Sequence, residues 1–205
     1  MDKIAVGLVL IPPENILDLC IKINERAFES GRGRFRLARD DYIPHITLAM
    51  DCISRGHFDE VVSDMSQTIK FQRAVYLEAR EIELYTRGDG NRSFLKLNIP
   101  DDLRALHEKS LEILVPYSVN CDSADCLLEG DKTGMTDFTR KTINGFPTLY
   151  ARERYNPHIT LGCYDADQFS QDIQFPIPFE ANRLVLAHLG NNCTVRKVLF
   201  ETKLN

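Results

Sequence analysis

Two stretches of the chain share the sequence Pro-His-Ile-Thr-Leu, at residues 44–48 and 157–161. Their histidines, His45 and His158, lie 113 positions apart in a chain of 205 residues. Histidine gains and loses a proton near neutral pH, so one neutral and one protonated imidazole can serve together as base and acid. A threonine hydroxyl beside each ring can stabilise developing negative charge. The repeat therefore predicts a site for general acid–base chemistry.

A β-strand would place the polar residues of each motif together. Residues two positions apart point to the same face of a strand, so His45 lies beside Thr47, and His158 beside Thr160. The isoleucine and leucine of each motif then point to the other, apolar face. A single histidine on such a strand is more often a half-buried structural residue. Core packing does not require the same His-x-Thr pair twice, so the repetition favours function.

A zinc site is the main alternative use of paired histidines, and it needs at least one more protein ligand. No carboxylate or cysteine lies two positions from either motif histidine, the spacing that would place it on the same face of the strand. We therefore predict neither a metal nor a cofactor. The remaining histidines, His57, His107 and His188, have no threonine two positions later, and we expect them to be structural or surface residues.

The composition limits the partners. A net charge of −5 disfavours binding along a long duplex nucleic acid, but it is compatible with a nucleotide or a short RNA. The first apolar run, residues 4–11, is too short to span a membrane and has no small-residue cleavage site. It predicts a buried strand of a cytoplasmic protein without a membrane partner. The sequence does not indicate an oligomeric state.

The six cysteines are scattered, and none forms a Cys-x-x-Cys motif. We expect most of them to be reduced, buried and structural. Cys121 and Cys126 form the one close pair, and they lie in a polar, loop-like stretch.

Hydrophobic periodicity predicts helices that alternate with antiparallel strand pairs, which is an α+β pattern. The dipeptide Asp89-Gly90 predicts the turn of a hairpin. Residues 118–147 show no clear pattern. The predicted helices are 14–29, 56–70 and 100–114, with a short helix at 165–172, and the predicted strands are 4–11, 44–50, 74–86, 93–99, 157–163, 182–189 and 194–203.

The duplicated motif resembles the hallmark of the two-histidine (2H) phosphoesterase superfamily, which includes 2′-5′ RNA ligase-like proteins and cyclic phosphodiesterases. The C-terminal sequence LAHLGNNCTVRKVLFET, residues 186–202, is also similar to 2′-5′ RNA ligase-like members. The resemblance implies one bilobal domain over residues 1–205. Two pseudo-symmetric antiparallel sheets flanked by helices would form a central cleft, with one motif in each half, at 45–47 and 158–160. Residues 118–147 would be a substrate-specific insertion.

The resemblance also implies an activity. It is the metal-independent hydrolysis of a 2′,3′-cyclic phosphate, or the making and breaking of a 2′-5′ linkage, on a nucleotide or short RNA. His45 and His158 would be catalytic, and Thr47 and Thr160 would bind the non-bridging phosphate oxygens. The mechanism commonly proposed for the family makes His158 the base and His45 the acid. Two alternatives remain: a nucleotide-binding module with little turnover, and an interaction protein without a catalytic role.

Four further residues are predicted to bind substrate. Tyr42 and Tyr155 each precede a motif histidine by three positions, which predicts equivalent places beside the cleft. Arg152 and Arg154 could bind a phosphate or stack on a base, or they could be solvated arginines of a loop. A second basic cluster lies at residues 32–36.

Overall fold

A computed structural model describes residues 2–87, 90–128, 131 and 134–205. These residues form eight β-strands and four α-helices. The strands are β1 (Lys3–Ile11), β2 (Ile46–Ser54), β3 (Val75–Arg87), β4 (Gly90–Leu97), β5 (His158–Tyr164), β6 (Ile177–Ala181), β7 (Arg183–Leu189) and β8 (Val195–Lys203), and the helices are α1 (Glu14–Glu29), α2 (Phe58–Thr68), α3 (Asp101–Leu114) and α4 (Asp137–Leu149).

All eight strands belong to one antiparallel sheet with the order β6-β3-β4-β5-β2-β1-β7-β8. The α+β class is confirmed, but the prediction of two separate sheets is wrong. The two motif strands, β2 and β5, are neighbours at the centre, and they join two four-stranded halves. Their register consists of the single pair Ile46–Ile159, so one backbone pairing at the start of the motifs makes the sheet continuous.

The sequence missed two elements of the fold. Strand β6 contains Pro178, which weakens a strand signal, and it lies at the edge of the sheet, where proline is tolerated. Helix α4 contains Gly145 and Pro147, which disfavour a helix interior. The predicted hairpin is present as β3 and β4, but Gly88 and Asp89 at its tip lie outside the described residues.

Helices α1, α3 and α4 each pack on a motif strand of the opposite half of the sheet. Helix α1 follows β1 in sequence but packs on β5, whereas α3 and α4 pack on β2. Each motif strand is thus supported by helices from the other half. The buried positions of α1 recur at helical spacing, as expected for an amphipathic helix: Ile16, Leu17, Cys20, Ile23, Asn24 and Ala27. In the described part of the chain, no helix is both long enough and apolar enough to cross a bilayer.

The expectation that most cysteines are reduced holds for four of the six. The close pair, Cys121 and Cys126, forms a disulfide. The turn between them brings their Cα atoms to 6.4 Å, which is within the range that a disulfide spans. Among the free cysteines, Cys20, Cys52 and Cys163 are buried, as predicted.

Candidate active site

A cavity of about 390 Å³ lies where the two motif strands meet. His45 and Thr47 of the first motif and His158 and Thr160 of the second all line it. Both histidines and both threonines are half-buried, so they are partly shielded but reachable from the cavity. The alternation predicted for the motifs is present, because Ile46 and its counterpart in β5 are fully buried in the core.

Backbone carbonyls fix the tautomer of both histidines. The Nδ1 atom of His45 lies 2.7 Å from the carbonyl oxygen of Ile43, and that of His158 lies 2.8 Å from the carbonyl oxygen of Asn156. A carbonyl oxygen can only accept, so each Nδ1 must carry the hydrogen and donate it. When the ring is neutral, Nε2 is then left with a lone pair that can accept a proton.

The two imidazoles have different surroundings. The pKa of His45 is lowered to about 4, mainly by burial, with the Ile43 carbonyl raising it and the neighbouring His158 lowering it. Burial also lowers the pKa of His158, but the carbonyl of Asn156 and the carboxylate of Glu83 both raise it. The Glu83 carboxylate thus favours a proton on His158, whereas the other imidazole disfavours one on His45.

Aromatic residues form much of the cavity wall. The ring of Phe94 meets His158 edge-on, with 4.5 Å between the ring centroids, and Phe94 lies opposite Thr160 in the sheet. Aromatic rings of this kind can stack on a nucleobase. The other aromatic lining residues are Phe35, Tyr85, Phe138, Phe146, Tyr150 and Tyr155.

Tyr155 and Arg154 of the predicted supporting set line the cavity. Tyr155 is buried, and its hydroxyl donates to the carbonyl oxygen of Thr47 at 2.9 Å. Its ring stacks on His107, with centroids 3.9 Å apart and planes 7° apart. The hydroxyl is thus engaged with the backbone of the first motif.

The other two predicted residues lie elsewhere. Tyr42 lines a small adjoining cavity behind His45, where Arg196 lies 4.0 Å above its ring. The side chain of Arg152 is 73% exposed and points to Glu108 at 3.9 Å, and it does not line the main cavity. The two tyrosines therefore have different surroundings despite their equal spacing from the motifs.

Two cations that line the cavity, Arg34 and Arg92, were not among the predicted substrate-binding residues. Arg34 belongs to the basic cluster at 32–36, and its backbone N–H donates to the carbonyl of Gly162 at 2.9 Å. Arg92 lies on β4 with its guanidinium 5.5 Å from the ring centroid of Phe138. The cluster was a usable signal for Arg34, whereas a lone arginine in a strand gave none for Arg92.

Among the described residues, the one group of three metal-ligating side chains that converge comprises Cys52, Cys121 and Cys126, whose sulfur atoms lie within 4.8 Å of one another. Two of these sulfurs are joined in the disulfide. The group does not include either motif histidine.

No protein-family model and no curated protein matches the chain. Solved structures match its fold over nearly the full length of the chain. E. coli LigT complexed with NADP+ matches with 15% identity and a TM-score of 0.58, covering 100% of this chain and 99% of the LigT chain. The protein TT0787 of Thermus thermophilus matches with 13% identity and a TM-score of 0.60, covering 98% of each chain.

A further crystal structure, described as a phosphoesterase, matches with 15% identity and a TM-score of 0.54, covering 98% of this chain and 97% of the other. At these identities the likeness establishes the fold. The resemblance noted from the repeated motif is thereby confirmed at the level of the fold. LigT has also been crystallised with 3′-AMP and with ATP.

Proposed function

We propose that this protein is a metal-independent phosphoesterase that hydrolyses a 2′,3′-cyclic phosphate or a 2′-5′ phosphodiester on a nucleotide or short RNA. The observation that carries the proposal is the convergence of His45 and His158 on one cavity, both held in the same tautomer by a backbone carbonyl. Residues 1–205 act as one bilobal domain in this proposal, and helix α4, which begins within residues 118–147, contributes Phe138 and Phe146 to the aromatic wall of the site.

The chemistry requires one proton to leave water and one to reach the departing ribose oxygen. Neutral His45 takes the proton from the attacking water through Nε2, and a new P–O bond forms. Protonated His158 gives its Nε2 proton to the ribose oxygen as the old P–O bond breaks. The carboxylate of Glu83, which favours a proton on His158, supports this assignment, which is the opposite of the one that the family resemblance implied.

The hydroxyls of Thr47 and Thr160 donate to the non-bridging phosphate oxygens, where charge develops in the transition state. Arg34, Arg92 and Arg154 give the cavity a positive field that favours a phosphate ester. The aromatic wall supplies faces for a base. The fold is that of LigT, which binds NADP+, 3′-AMP and ATP in crystals, so a nucleotide is the ligand class that we propose here.

The test is a panel of 2′,3′-cyclic mononucleotides, 2′-5′ dinucleotides and RNA with a cyclic-phosphate end, incubated with the protein in the presence of EDTA. Product analysis then identifies the substrate and distinguishes a 2′- from a 3′-phosphate. Turnover that EDTA does not reduce supports the proposal, and loss of all turnover in EDTA contradicts metal independence.

The second candidate is a nucleotide-binding module that uses the same cavity with little turnover. The aromatic wall favours it as much as it favours an enzyme, because stacking reports on binding and not on rate. Tight nucleotide binding in calorimetry, without product from any member of the panel, would select the module. An interaction protein would show neither binding nor product.

A further inference from the structure

Both motif strands are bulged directly after the threonine. In β2 the register with β1 shifts just after Thr47, and Leu48 is the extra residue. In β5 the register with β4 shifts just after Thr160, and the extra residues lie within 161–163. A bulge takes backbone groups out of the ladder, so their hydrogen bonds must be made elsewhere.

A buried polar side chain from a helix satisfies the leucine carbonyl at each bulge. The ring Nδ1 of His107, on α3, lies 2.5 Å from the carbonyl oxygen of Leu48. The side-chain Nδ2 of Asn24, on α1, donates to the carbonyl oxygen of Leu161 at 2.9 Å. His107 is fully buried and Asn24 is 1% exposed. In each case the helix belongs to the other half of the fold.

The second polar atom of each side chain binds the segment that leads into the opposite motif. Nε2 of His107 accepts the backbone N–H of Arg152 at 3.0 Å, in the segment before His158. Oδ1 of Asn24 accepts the backbone N–H of Leu37 at 3.0 Å, in the segment before His45. Each side chain thus joins the bulge of one motif to the approach of the other.

The backbone near Asn24 is shaped for this contact. Gly162 follows the bulged leucine and has φ of +63°, a conformation that favours glycine. A Cβ atom there would lie 2.7 Å from the carbonyl oxygen of Phe35 and 2.9 Å from Nδ2 of Asn24. Asn24 also donates to that carbonyl of Phe35 at 3.1 Å. The site leaves room for the amide and for nothing larger than hydrogen at position 162.

We propose that His107 and Asn24 are paired positioning residues that set each threonine against its histidine and tie the two halves of the site together. The inference rests on the proposed function for its kinetic consequence. Neither side chain lines the cavity, so both act through the backbone of the motifs. His107 and Asn24 differ from ordinary buried polar residues because their two sets of contacts are pseudo-symmetric.

The role of His107 requires the neutral ring, because Nδ1 donates and Nε2 accepts. Protonation would turn Nε2 into a donor and break its bond to the Arg152 N–H. Burial lowers the pKa of His107, with Glu108 raising it and Arg104 lowering it, and the rings of Tyr155 and Phe146 face it. The surroundings therefore keep the ring in the form that the contacts need.

The experiment compares His107→Leu and Asn24→Leu, which remove both contacts, with His107→Asn, which restores a donor and an acceptor like those at position 24. We expect each leucine variant to lower kcat roughly 10- to 100-fold, as a misplaced catalytic group does. KM should change by less than about threefold, because uniform substrate binding is untouched. His107→Asn should recover most of the loss. The exposed His57→Asn serves as the matched control.

Imidazole NMR supplies a readout that does not depend on turnover. The Nδ1–H signals of His45 and His158 should shift or exchange faster with water in folded leucine variants. Unchanged signals together with wild-type kcat would overturn the inference. If the leucine variants do not fold, the spectrum of the wild-type protein tests the inference instead. The inference requires the Nδ1–H tautomer of His107, so finding the Nε2–H tautomer would overturn it. A wild type without turnover would refute the proposed function alone, and the NMR result would still decide the role of His107 and Asn24.

Discussion

His45 and His158 present the same ring nitrogen to one cavity, because each donates its Nδ1–H to the backbone carbonyl oxygen two residues before it. The shared proline of the two motifs separates each histidine from that carbonyl residue, so the identical sequence produces identical local geometry. The two rings differ in their surroundings, with Glu83 near His158 alone. The same backbone geometry therefore places the two imidazoles in different electrostatic surroundings.

Removing either ring should nearly abolish turnover. We expect His45→Ala and His158→Ala each to lower kcat by roughly 10² to 10⁴-fold, the usual contribution of a positioned acid or base. Steady-state kinetics on the best substrate of the panel measures the effect, and circular dichroism checks the fold. The exposed His57→Ala is the control. Near-wild-type turnover in either variant would exclude the paired-histidine mechanism.

The threonines should matter less than the histidines. Thr47→Val and Thr160→Val keep the β-branched shape but lose the hydroxyl that we place on the phosphate oxygens. Each should lower kcat by up to about 10²-fold, as loss of one oxyanion-type donor does. Wild-type kcat in both variants would remove the hydroxyls from the mechanism.

The sequence predicted the two motif strands, β2 and β5, because the repeated motif has its own local geometry. It did not predict that β2 and β5 would be neighbours in one sheet, since a single pair, Ile46–Ile159, decides that. Tyr42 and Tyr155 have equal spacing from their motif histidines but line different cavities, because the loops before the two motifs follow different paths. Tyr42 has a positive φ of 48°, which spacing alone could not indicate.

The importance of His107 was also invisible in the sequence. Its partners are the backbone groups of Leu48 and Arg152, which are distant along the chain and have no residue-type signature. Bulges give no local sequence signal of comparable strength to a turn dipeptide. Positions that act through backbone hydrogen bonds therefore required the structure.

Asp51 should make stability depend on pH. Its carboxylate is 1% exposed, and the described residues provide no hydrogen-bond partner for Oδ2, although Oδ1 accepts from Ser118 and from the Cys52 N–H. Burial raises its pKa to about 6. The folded state thus binds the proton more tightly than the unfolded state, and the stability that this contributes is lost as the pH rises from the unfolded value of 3.8 through about 6.

Asp51→Asn removes this titration. The free energy of unfolding of the variant minus that of wild type should be larger at about pH 7.5 than at about pH 4.5, by at most about 3 kcal/mol. Urea unfolding at the two pH values measures the gain, and the exposed Asp59→Asn should show none. The same difference between variant and wild type at both pH values would show that Asp51 does not carry a raised pKa.

The dependence of kcat/KM on pH should be a bell on the acidic side of neutrality. The base His45 must be neutral, so activity falls as the pH drops towards its pKa of about 4. The acid His158 must be protonated, so activity falls as the pH rises through a pKa that burial holds below 6.5. The two limbs belong to the coupled pair. A monotonic profile between about pH 3 and 9, with folding intact, contradicts this prediction.

The roles of the two histidines can be separated with a substrate whose leaving group needs no protonation, such as a nitrophenyl phosphodiester of a nucleoside. The acid is dispensable for that substrate, but the base is still needed to activate water. Because Glu83 favours a proton on His158, which we propose to be the acid, His158→Ala should regain much of its lost turnover on the activated substrate, whereas His45→Ala should not. The ratio of kcat on the activated substrate to kcat on the cyclic phosphate, compared with wild type, measures the rescue. Rescue of His45→Ala instead would support the family's assignment, with His45 as the acid and His158 as the base. Rescue of neither variant would show that neither ring protonates the leaving group.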